Sequence, residues 1–153
     1  MRLTDYTDYS LRTLIHLGLN RDKLVTIQDI ADTYGISKSH LMKIVHQLGL
    51  AGLVETIRGR SGGLRLKKEP EDINIGEVVR GAEPDFTMVE CFSREQNECI
   101  LSPSCELQHL LRQATLAYFD VLNQATLAHL LRNSKSLRKL AGIEIHPSRK
   151  AAA

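Results

Sequence analysis

Apolar residues recur at helical spacing in three segments of the N-terminal third of the chain. The first segment runs from Tyr6 to Gly18, and its period predicts a core helix. A second helix is expected to begin after Thr26, where a carboxylate follows three residues later, and to end at Gly35. A third is capped by Ser37 and runs through Leu50. Two helices joined by a short glycine-containing turn form the helix-turn-helix pattern.

Behind the third helix the spacing of apolar residues becomes alternating. Residues 52–57 and 64–66 read as two short strands, and the segment between them, residues 58–63, is the turn Arg-Gly-Arg-Ser-Gly-Gly. An ordinary glycine hairpin is the alternative, but a basic hairpin after a basic helix favours the wing of a winged helix. Residues 73–79 then lead into a further helix that is expected to stop near Gly81.

From Ser102 onward, one apolar stripe continues at helical spacing for roughly seven turns. Its members are Leu107, Leu110, Leu111, Ala114, Ala117, Tyr118, Val121, Leu122, Ala125, Ala128 and Leu131. A helix of this length is too long to pack only on the small N-terminal domain, which we call the head. We expect it to pair with the same helix of a second chain, and a helix inside the core of one chain is the alternative.

These patterns divide the 153 residues into four parts and predict a fold that is mainly α with a small β-wing. Residues 1–80 are expected to form a winged helix-turn-helix DNA-binding domain, and residues 81–106 a loop that carries the cysteines. Residues 107–133 are expected to form a dimerisation helix, and residues 134–153 a flexible tail. With 42% hydrophobic residues, the chain can bury one core and carry an appended element.

The overall charge of +2 conceals two oppositely charged segments. Residues 37–68 carry seven basic residues against one acidic residue, which gives +6 and indicates a surface for a polyanion. Residues 69–107 carry two basic residues against ten acidic ones, which gives −8. We expect this second segment to face away from DNA.

The chain begins without a basic and then apolar leader, and no apolar run approaches the roughly 20 residues that span a bilayer. We therefore expect a cytoplasmic protein without a membrane partner. Thiols stay reduced in the cytoplasm, which leaves cysteines free to bind metal.

The start of the third helix supplies the candidate base-reading residues. In a helix-turn-helix, the first residues of the second helix face the base edges, which here are Ser37, Lys38, Ser39, His40 and, one turn on, Lys43. Ser39, His40 and Lys43 are the best candidates for direct readout. Ser37 as a cap only and Lys38 as a solvated side chain are the alternatives.

The wing supplies candidate contacts to the DNA backbone. Arg58, Arg60 and Arg65 are expected to contact phosphate or the minor groove. Gly62 and Gly63 keep the backbone of the turn thin enough to approach a sugar-phosphate edge closely.

The three cysteines of the chain, Cys91, Cys99 and Cys105, lie in one short segment. An odd number cannot pair fully within one chain, and their confinement suits a shared metal or cluster. The spacing lacks the CxxC knuckle of most structural zinc sites, so zinc is less favoured. Cys105 follows Ser102-Pro103 and is expected in the first turn of the long helix, where free N–H groups stabilise an anionic ligand. With the basic head, these features indicate a metal-switched transcription factor.

Several segments of the chain resemble one bacterial family. Residues 1–12, the helix start at residues 36–41, the wing at residues 58–63 and the triple cysteine are similar to those of the NsrR-type repressors, which are nitric-oxide-sensing winged-helix regulators. The resemblance runs from Met1 to about Arg132. It implies that the cysteines hold an iron-sulfur cluster, with [4Fe-4S] favoured and [2Fe-2S] the alternative, and makes residues 81–106 a cluster-binding loop.

The resemblance also implies a site shared between two chains. Asp8 of the partner subunit would be the fourth ligand, and Arg12, one helical turn beyond it, would couple the site to the head. The expected protein is a homodimer on a palindromic operator in double-stranded DNA, with nitric oxide as the effector. Related regulators of cluster assembly use a histidine three residues after the last cysteine, but Gln108 stands there, and we interpret the adjacent His109 as a surface residue.

Three other functions are weighed against this one. A repressor of the same family that senses iron or cluster supply is the nearest alternative, and a DNA-binding dimer with structural zinc is the second. An iron-sulfur or thiol enzyme is the third. No Ser/His/Asp set, phosphate loop or dinucleotide fingerprint is apparent in the sequence, so we expect no enzymatic activity.

Overall fold

The computed structural model describes residues 2–93, 95 and 97–143. Seven helices and a two-stranded antiparallel sheet account for most of these residues. The helices are α1 (Asp5–Leu19), α2 (Ile27–Tyr34), α3 (Lys38–Leu50), α4 (Ile75–Ala82), α5 (Glu106–Asn123), α6 (Leu127–Leu130) and α7 (Ser134–Leu140), and the strands are β1 (Val54–Ile57) and β2 (Gly63–Leu66). The mainly helical fold with a small β-wing is therefore confirmed.

Local side-chain caps define the helix-turn-helix. The hydroxyl of Thr26 accepts a hydrogen bond from the amide of Asp29 at 3.1 Å, and the Asp29 carboxylate accepts one from the Thr26 amide at 2.8 Å, so a complete capping box begins α2. Gly35 ends α2 with a φ of +65°, a conformation that favours glycine. Ser37 then caps α3 by accepting from the His40 amide at 3.3 Å.

The wing is anchored to the core at its base. Val54 of β1 pairs with Leu66 of β2, and both side chains are buried. Leu64 also exchanges two backbone hydrogen bonds with Val25, at 3.1 and 2.7 Å, which ties β2 to the segment before α2. The remainder of the head core comes from α1, α2, α3 and α4, whose largest fully buried side chains include Leu14, Leu17, Ile30, Leu41, Ile44 and Val79. A single hydrophobic core thus supports both the wing and α3, the second helix of the helix-turn-helix, which we call the recognition helix.

The apolar stripe of residues 107–133 does not form one continuous helix, which corrects the sequence prediction. Helix α5 ends at Asn123, and the chain turns before α6 begins at Leu127. The turn forms because the Ala125 carbonyl accepts from the Ile75 amide, and the Leu127 amide donates to the Ile73 carbonyl, both at 2.9 Å. Leu127 is fully buried in the head core as a result. The dimerising role of this segment stays a prediction.

The segment predicted as a flexible tail, residues 134–153, begins with an ordered helix. Helix α7 packs against α1, where Leu137 and Leu140 line a shallow cavity together with Ile15. Leu137 and Leu140 supply the apolar contacts of a helix whose other residues are basic or polar. Residues 144–153 lie outside the described residues.

A buried histidine, His16, makes the stability of the head depend on pH. His16 of α1 is 4% exposed, its ring packs edge-on against Tyr34 with centroids 5.6 Å apart, and its Nδ1 has no hydrogen-bond partner within the described residues. Burial lowers the pKa of His16, nearby Asp29 opposes this shift, and Lys23 reinforces it. The folded head therefore holds the imidazole in its neutral form.

We predict that acidification destabilises the head through His16. Because the unfolded chain binds a proton near pH 6.5 and the folded chain only at lower pH, the stability present above that value is lost as the pH falls below it. Urea unfolding at pH 7.5 and 5.5 should show a smaller loss of stability in His16→Met than in the parent. His46→Met, at an exposed histidine, should behave as the parent does, and an equal loss in the parent and His16→Met would contradict the prediction.

Candidate nucleic-acid interface and metal centre

The N-terminal end of α3 presents most of the predicted base-reading residues to solvent. Residues 37–39 and Lys43 are exposed. The Ser37 hydroxyl accepts from the His40 amide, so it is at least a cap. His40 is half-buried, because its ring packs edge-on against Tyr9 of α1 with centroids 5.3 Å apart. The five residues therefore share one helix end, where His40 is packed against α1, Ser37 acts as the cap, and Lys38, Ser39 and Lys43 extend into solvent.

A row of side chains on α1 leads from Asp8 to the recognition helix. The guanidinium of Arg12 holds the Asp8 carboxylate through two contacts, 2.7 Å from Nη2 to Oδ2 and 3.1 Å from Nε to Oδ1. The same guanidinium lies 5.8 Å from the centre of the Tyr9 ring, which in turn contacts His40. Asp8 and Arg12 were predicted as site residues, whereas Tyr9 was not. Its side chain joins the two groups of predicted residues.

The arginines of the wing differ in how strongly they are already paired. Arg58 and Arg60 are exposed at the turn, and neither forms an ion pair within the described part of the chain. Arg65 of β2 instead forms an ion pair with Glu55, directly across the sheet. Two of the three predicted arginines therefore offer an uncompensated charge, and the charge of the third is compensated.

The two wing glycines are half-buried, and packing within the wing explains why both are glycine. A Cβ at Gly62 would lie 2.2 Å from the Ile57 carbonyl oxygen, and one at Gly63 would lie 2.9 Å from the Val25 carbonyl oxygen. Any side chain there would displace backbone. A close approach of DNA was the predicted reason for these glycines. The backbone of the wing itself also requires them, because it leaves no room for a side chain at either position.

The cysteine loop is attached to the start of α5 by polar contacts. The side-chain amide of Gln108 donates to the Cys91 carbonyl at 2.8 Å. The Asn97 side chain accepts from the Cys99 amide at 3.1 Å and from the Ser102 hydroxyl at 3.0 Å. Side-chain amides thus hold the backbone at two of the three cysteines. Neither amide was among the predicted site residues.

Cys105 lies just before the long helix, whereas it was predicted in the first turn of that helix. Residues Ser102–Ser104 form a separate 3-10 turn, and Cys105 is the residue that immediately precedes α5 rather than part of its first turn. Pro103 starts the 3-10 turn, which accounts for the shift. His109 is exposed, as expected of a surface residue.

The donor chemistry of this loop fits a thiophilic metal centre. All three cysteines are free and half-buried, and thiolates are the ligands that iron-sulfur clusters and zinc share. Within the described residues no three histidine, cysteine, aspartate or glutamate side chains converge as a metal site. The cysteines share a loop but are not brought together in this single chain, and Asp8 is not brought to them.

Helix α5 is the least buried of the long helices. None of its residues is buried, and three members of the apolar stripe, Leu107, Leu110 and Val121, are each more than half exposed. Such a row of apolar side chains on one helix marks an interaction surface. None of the described helices is both long and apolar enough to cross a membrane.

Comparisons with known proteins place this geometry among bacterial regulators. The model of the Rrf2 family, described as iron-dependent transcriptional regulators, matches residues 3–133. The chain is 60% identical to the HTH-type transcriptional regulator NsrR of Bacillus licheniformis, over 92% of this chain and 99% of that protein. It is 56% identical to the regulator of the same name from Bacillus subtilis, over 92% and 97% of the two chains.

A solved structure supports the fold independently of these relatives. T. potens IscR superposes with a TM-score of 0.72 at 22% identity, covering 90% of this chain and 91% of that one. Helix-turn-helix, wing and protruding helix therefore agree with the family assignment made from sequence. The chain belongs to the Rrf2 family and is a DNA-binding transcriptional regulator of the NsrR type.

Proposed function

We propose that the protein is a homodimeric repressor whose binding to operator DNA is switched by an iron-sulfur cluster that reacts with nitric oxide. The observation that carries this proposal is the placement of all three cysteines, free and half-buried, on the loop that leads into the exposed helix α5. A metal-dependent change in this loop would act at the base of the surface on which two chains meet. The identity to regulators named NsrR supports the same assignment.

The exposed face of α5 supports the homodimer. Burying a large aliphatic side chain stabilises a protein by about 1.5–3 kcal/mol, and three such side chains on the stripe of α5, Leu107, Leu110 and Val121, are more than half exposed in one chain. The same helix of a second chain offers a matching apolar stripe. Two copies would carry two recognition helices, as a palindromic operator with half-sites about one helical turn apart requires.

The cysteines and one carboxylate form the proposed ligand set. Cys91, Cys99 and Cys105 would hold the cluster, with [4Fe-4S] favoured and [2Fe-2S] the alternative. Asp8 of the partner subunit would complete the set, and the side chain of Asp8 is 43% exposed, so a second chain can reach it. When bound, the cluster supplies iron that reacts with nitric oxide, most readily where a carboxylate rather than a thiolate is the ligand.

In the proposed dimer, Arg12 and the cluster would compete for the Asp8 carboxylate, as a switch requires. Both of its carboxylate oxygens are engaged by Arg12 in the single chain. Binding to the partner's loop would require Arg12 to give up at least one of these contacts. Arg12 also lies on Tyr9, which packs on His40, so the exchange would alter the support of the recognition helix.

The description of the family as iron-dependent regulators favours a second candidate function. A repressor that senses the supply of iron or clusters would use the same cysteines. The two functions differ in the signal that releases DNA. Nitric oxide added to the loaded protein should release DNA if the first function is correct, whereas only depletion of the cluster should do so for the second.

The test is to record the visible spectrum and the DNA affinity of anaerobically purified protein while nitric oxide is added. We expect an iron-sulfur absorption band that is lost in parallel with DNA binding. A colourless protein that contains zinc would contradict the cluster. Equal DNA binding by the loaded and stripped protein, with all three thiols intact, would contradict the switch.

Asp8→Ala is predicted to alter the cluster spectrum and to weaken the nitric-oxide dependence of DNA binding, because one ligand is removed while three thiolates remain. Asp5→Ala is the matched control, since Asp5 is also an acidic residue in the first turn of α1 and pairs with Arg2. The control should match the parent in both measurements. If Asp8→Ala does so too, Asp8 is not a ligand.

Arg60→Ala is predicted to weaken DNA binding at every sequence and to reduce the slope of log affinity against log salt by about 1, since one phosphate contact is lost. Arg65→Ala should change the slope less, because Glu55 already compensates this charge. His40→Ala should instead relax base preference. Lys135→Ala, at an exposed position of α7, is the control. An unchanged slope in Arg60→Ala would remove the wing from the interface.

A further inference from the structure

The end of α5 is joined to the start of α4 by a small set of polar contacts that the proposed switch does not use. The side-chain oxygen of Asn74 caps α4 by accepting from the Glu77 amide at 3.1 Å. The side-chain nitrogen of the same residue donates to the carbonyl of Asn123, the last residue of α5, at 2.7 Å. The guanidinium of Arg80 donates to the side-chain oxygen of Asn123. We call Asn74, Arg80 and Asn123, together with Gly76 of α4, the α4–α5 joint.

Gly76 lets the two helices approach closely at the joint. A Cβ on this buried residue would lie 2.2 Å from the side-chain oxygen of Asn123 and 3.1 Å from its backbone nitrogen. Glycine inside a helix is unfavourable relative to alanine. The close approach of Asn123 is the physical reason that glycine is needed at this position.

Contacts on both sides of the joint prevent it from bending freely. Beyond it, Ile73 and Ile75 bond to the backbone of Leu127 and Ala125, at 2.9 Å each. Before it, Phe119 of α5 packs edge-on against Phe86 with ring centroids 4.6 Å apart, and the Arg80 guanidinium lies 4.8 Å from the Phe119 ring centre. The direction in which α5 leaves its own head is therefore defined by several contacts within one chain.

We propose that Asn123 is a positioning residue that sets the distance between the two recognition helices of the dimer, and hence the half-site spacing that the protein selects. This inference rests on the proposed function, in which α5 carries the partner and the head carries the DNA contacts. A head extends about 20 Å from such a joint. A rotation of about 10° there would move a recognition helix by about 3.5 Å, which is roughly the rise of one base pair.

A consequence is that the two halves of each chain move as one body. A signal at the cysteine loop would then change the spacing of the heads through contacts between the chains, because the α4–α5 joint does not yield. Asn123 affects neither base contacts nor the cysteines directly, so its effect is confined to spacing.

The test uses a duplex selected by the unmodified protein from a random-sequence pool. Its half-sites are then moved apart or together by one and two base pairs, and a single half-site is prepared separately. We expect Asn123→Ala to bind the half-site within about twofold of the parent, but the selected spacing about tenfold more weakly, because the hydrogen bond from Arg80 to the side-chain oxygen of Asn123 is lost. It should discriminate between neighbouring spacings by less than about threefold, whereas the parent discriminates by about tenfold or more. Gln124→Ala, at the adjacent exposed position, should behave as the parent does.

Gly76→Ala tests the direction of the effect. The added methyl group must displace Asn123, so this variant should shift the preferred spacing, and Gly76→Ala/Asn123→Ala should remove the shift by removing the side-chain oxygen that the methyl group meets. Urea unfolding identifies variants that fail to fold, and Asn123→Ala, at an exposed residue, decides the matter if Gly76→Ala is one of them. Retention of the parent's spacing preference by Asn123→Ala would overturn the inference. If the unmodified protein binds the half-site as tightly as the full duplex, it is the dimeric mode of DNA binding that fails.

Discussion

The apolar side chains of α5, the longest helix, cannot be removed from water within a single chain, because no residue of this helix is buried. The rest of the structure depends on this constraint. The apolar positions that follow the cysteines serve two surfaces. Leu127 enters the core of the head, where it is fully buried, while Leu107, Leu110 and Val121 remain exposed on one face of α5. Leu127 fixes the end of this segment to the head of its own chain, and the exposed side chains of α5 require a partner. On the proposed account, a dimer, a palindromic operator and a site shared between chains all follow from this division.

The proposed chemistry and the DNA contacts are connected through α1. Asp8 and Arg12 form an ion pair at one end of a row of side chains, and Tyr9 and His40 lie at the other. Exposed ion pairs of this kind stabilise a fold little, so Arg12 can release Asp8 at small cost. Such a weak local contact next to a firmly packed recognition helix is a suitable element for a switch, because a modest ligand interaction can displace it.

The parts of the fold that could be predicted from sequence are those decided by neighbouring residues. The Thr26–Asp29 capping box, Gly35 and the Ser37 cap each act within four residues, so the helix-turn-helix was predicted closely. The interruption of the long helix depends on hydrogen bonds between residues 73–75 and 125–127, and periodicity carries no information about such distant partners. For the same reason the pairing of Arg65 with Glu55 and the contact between Tyr9 and His40 became evident only from the structure.

The central claim, that the switch is built from two chains, can be tested by complementation in mixed dimers. One protomer carries Asp8→Ala, the other carries Cys91→Ala, Cys99→Ala and Cys105→Ala, and differently tagged chains allow the mixed dimer to be isolated. If Asp8 acts across the interface, the intact cysteines of the first protomer face the intact Asp8 of the second, and each mixed dimer should bind one cluster with the parent spectrum and release DNA with nitric oxide. A mixed dimer that shows only the altered spectrum of Asp8→Ala would contradict the account, because it would place Asp8 and the cysteines in separate sites or within one chain.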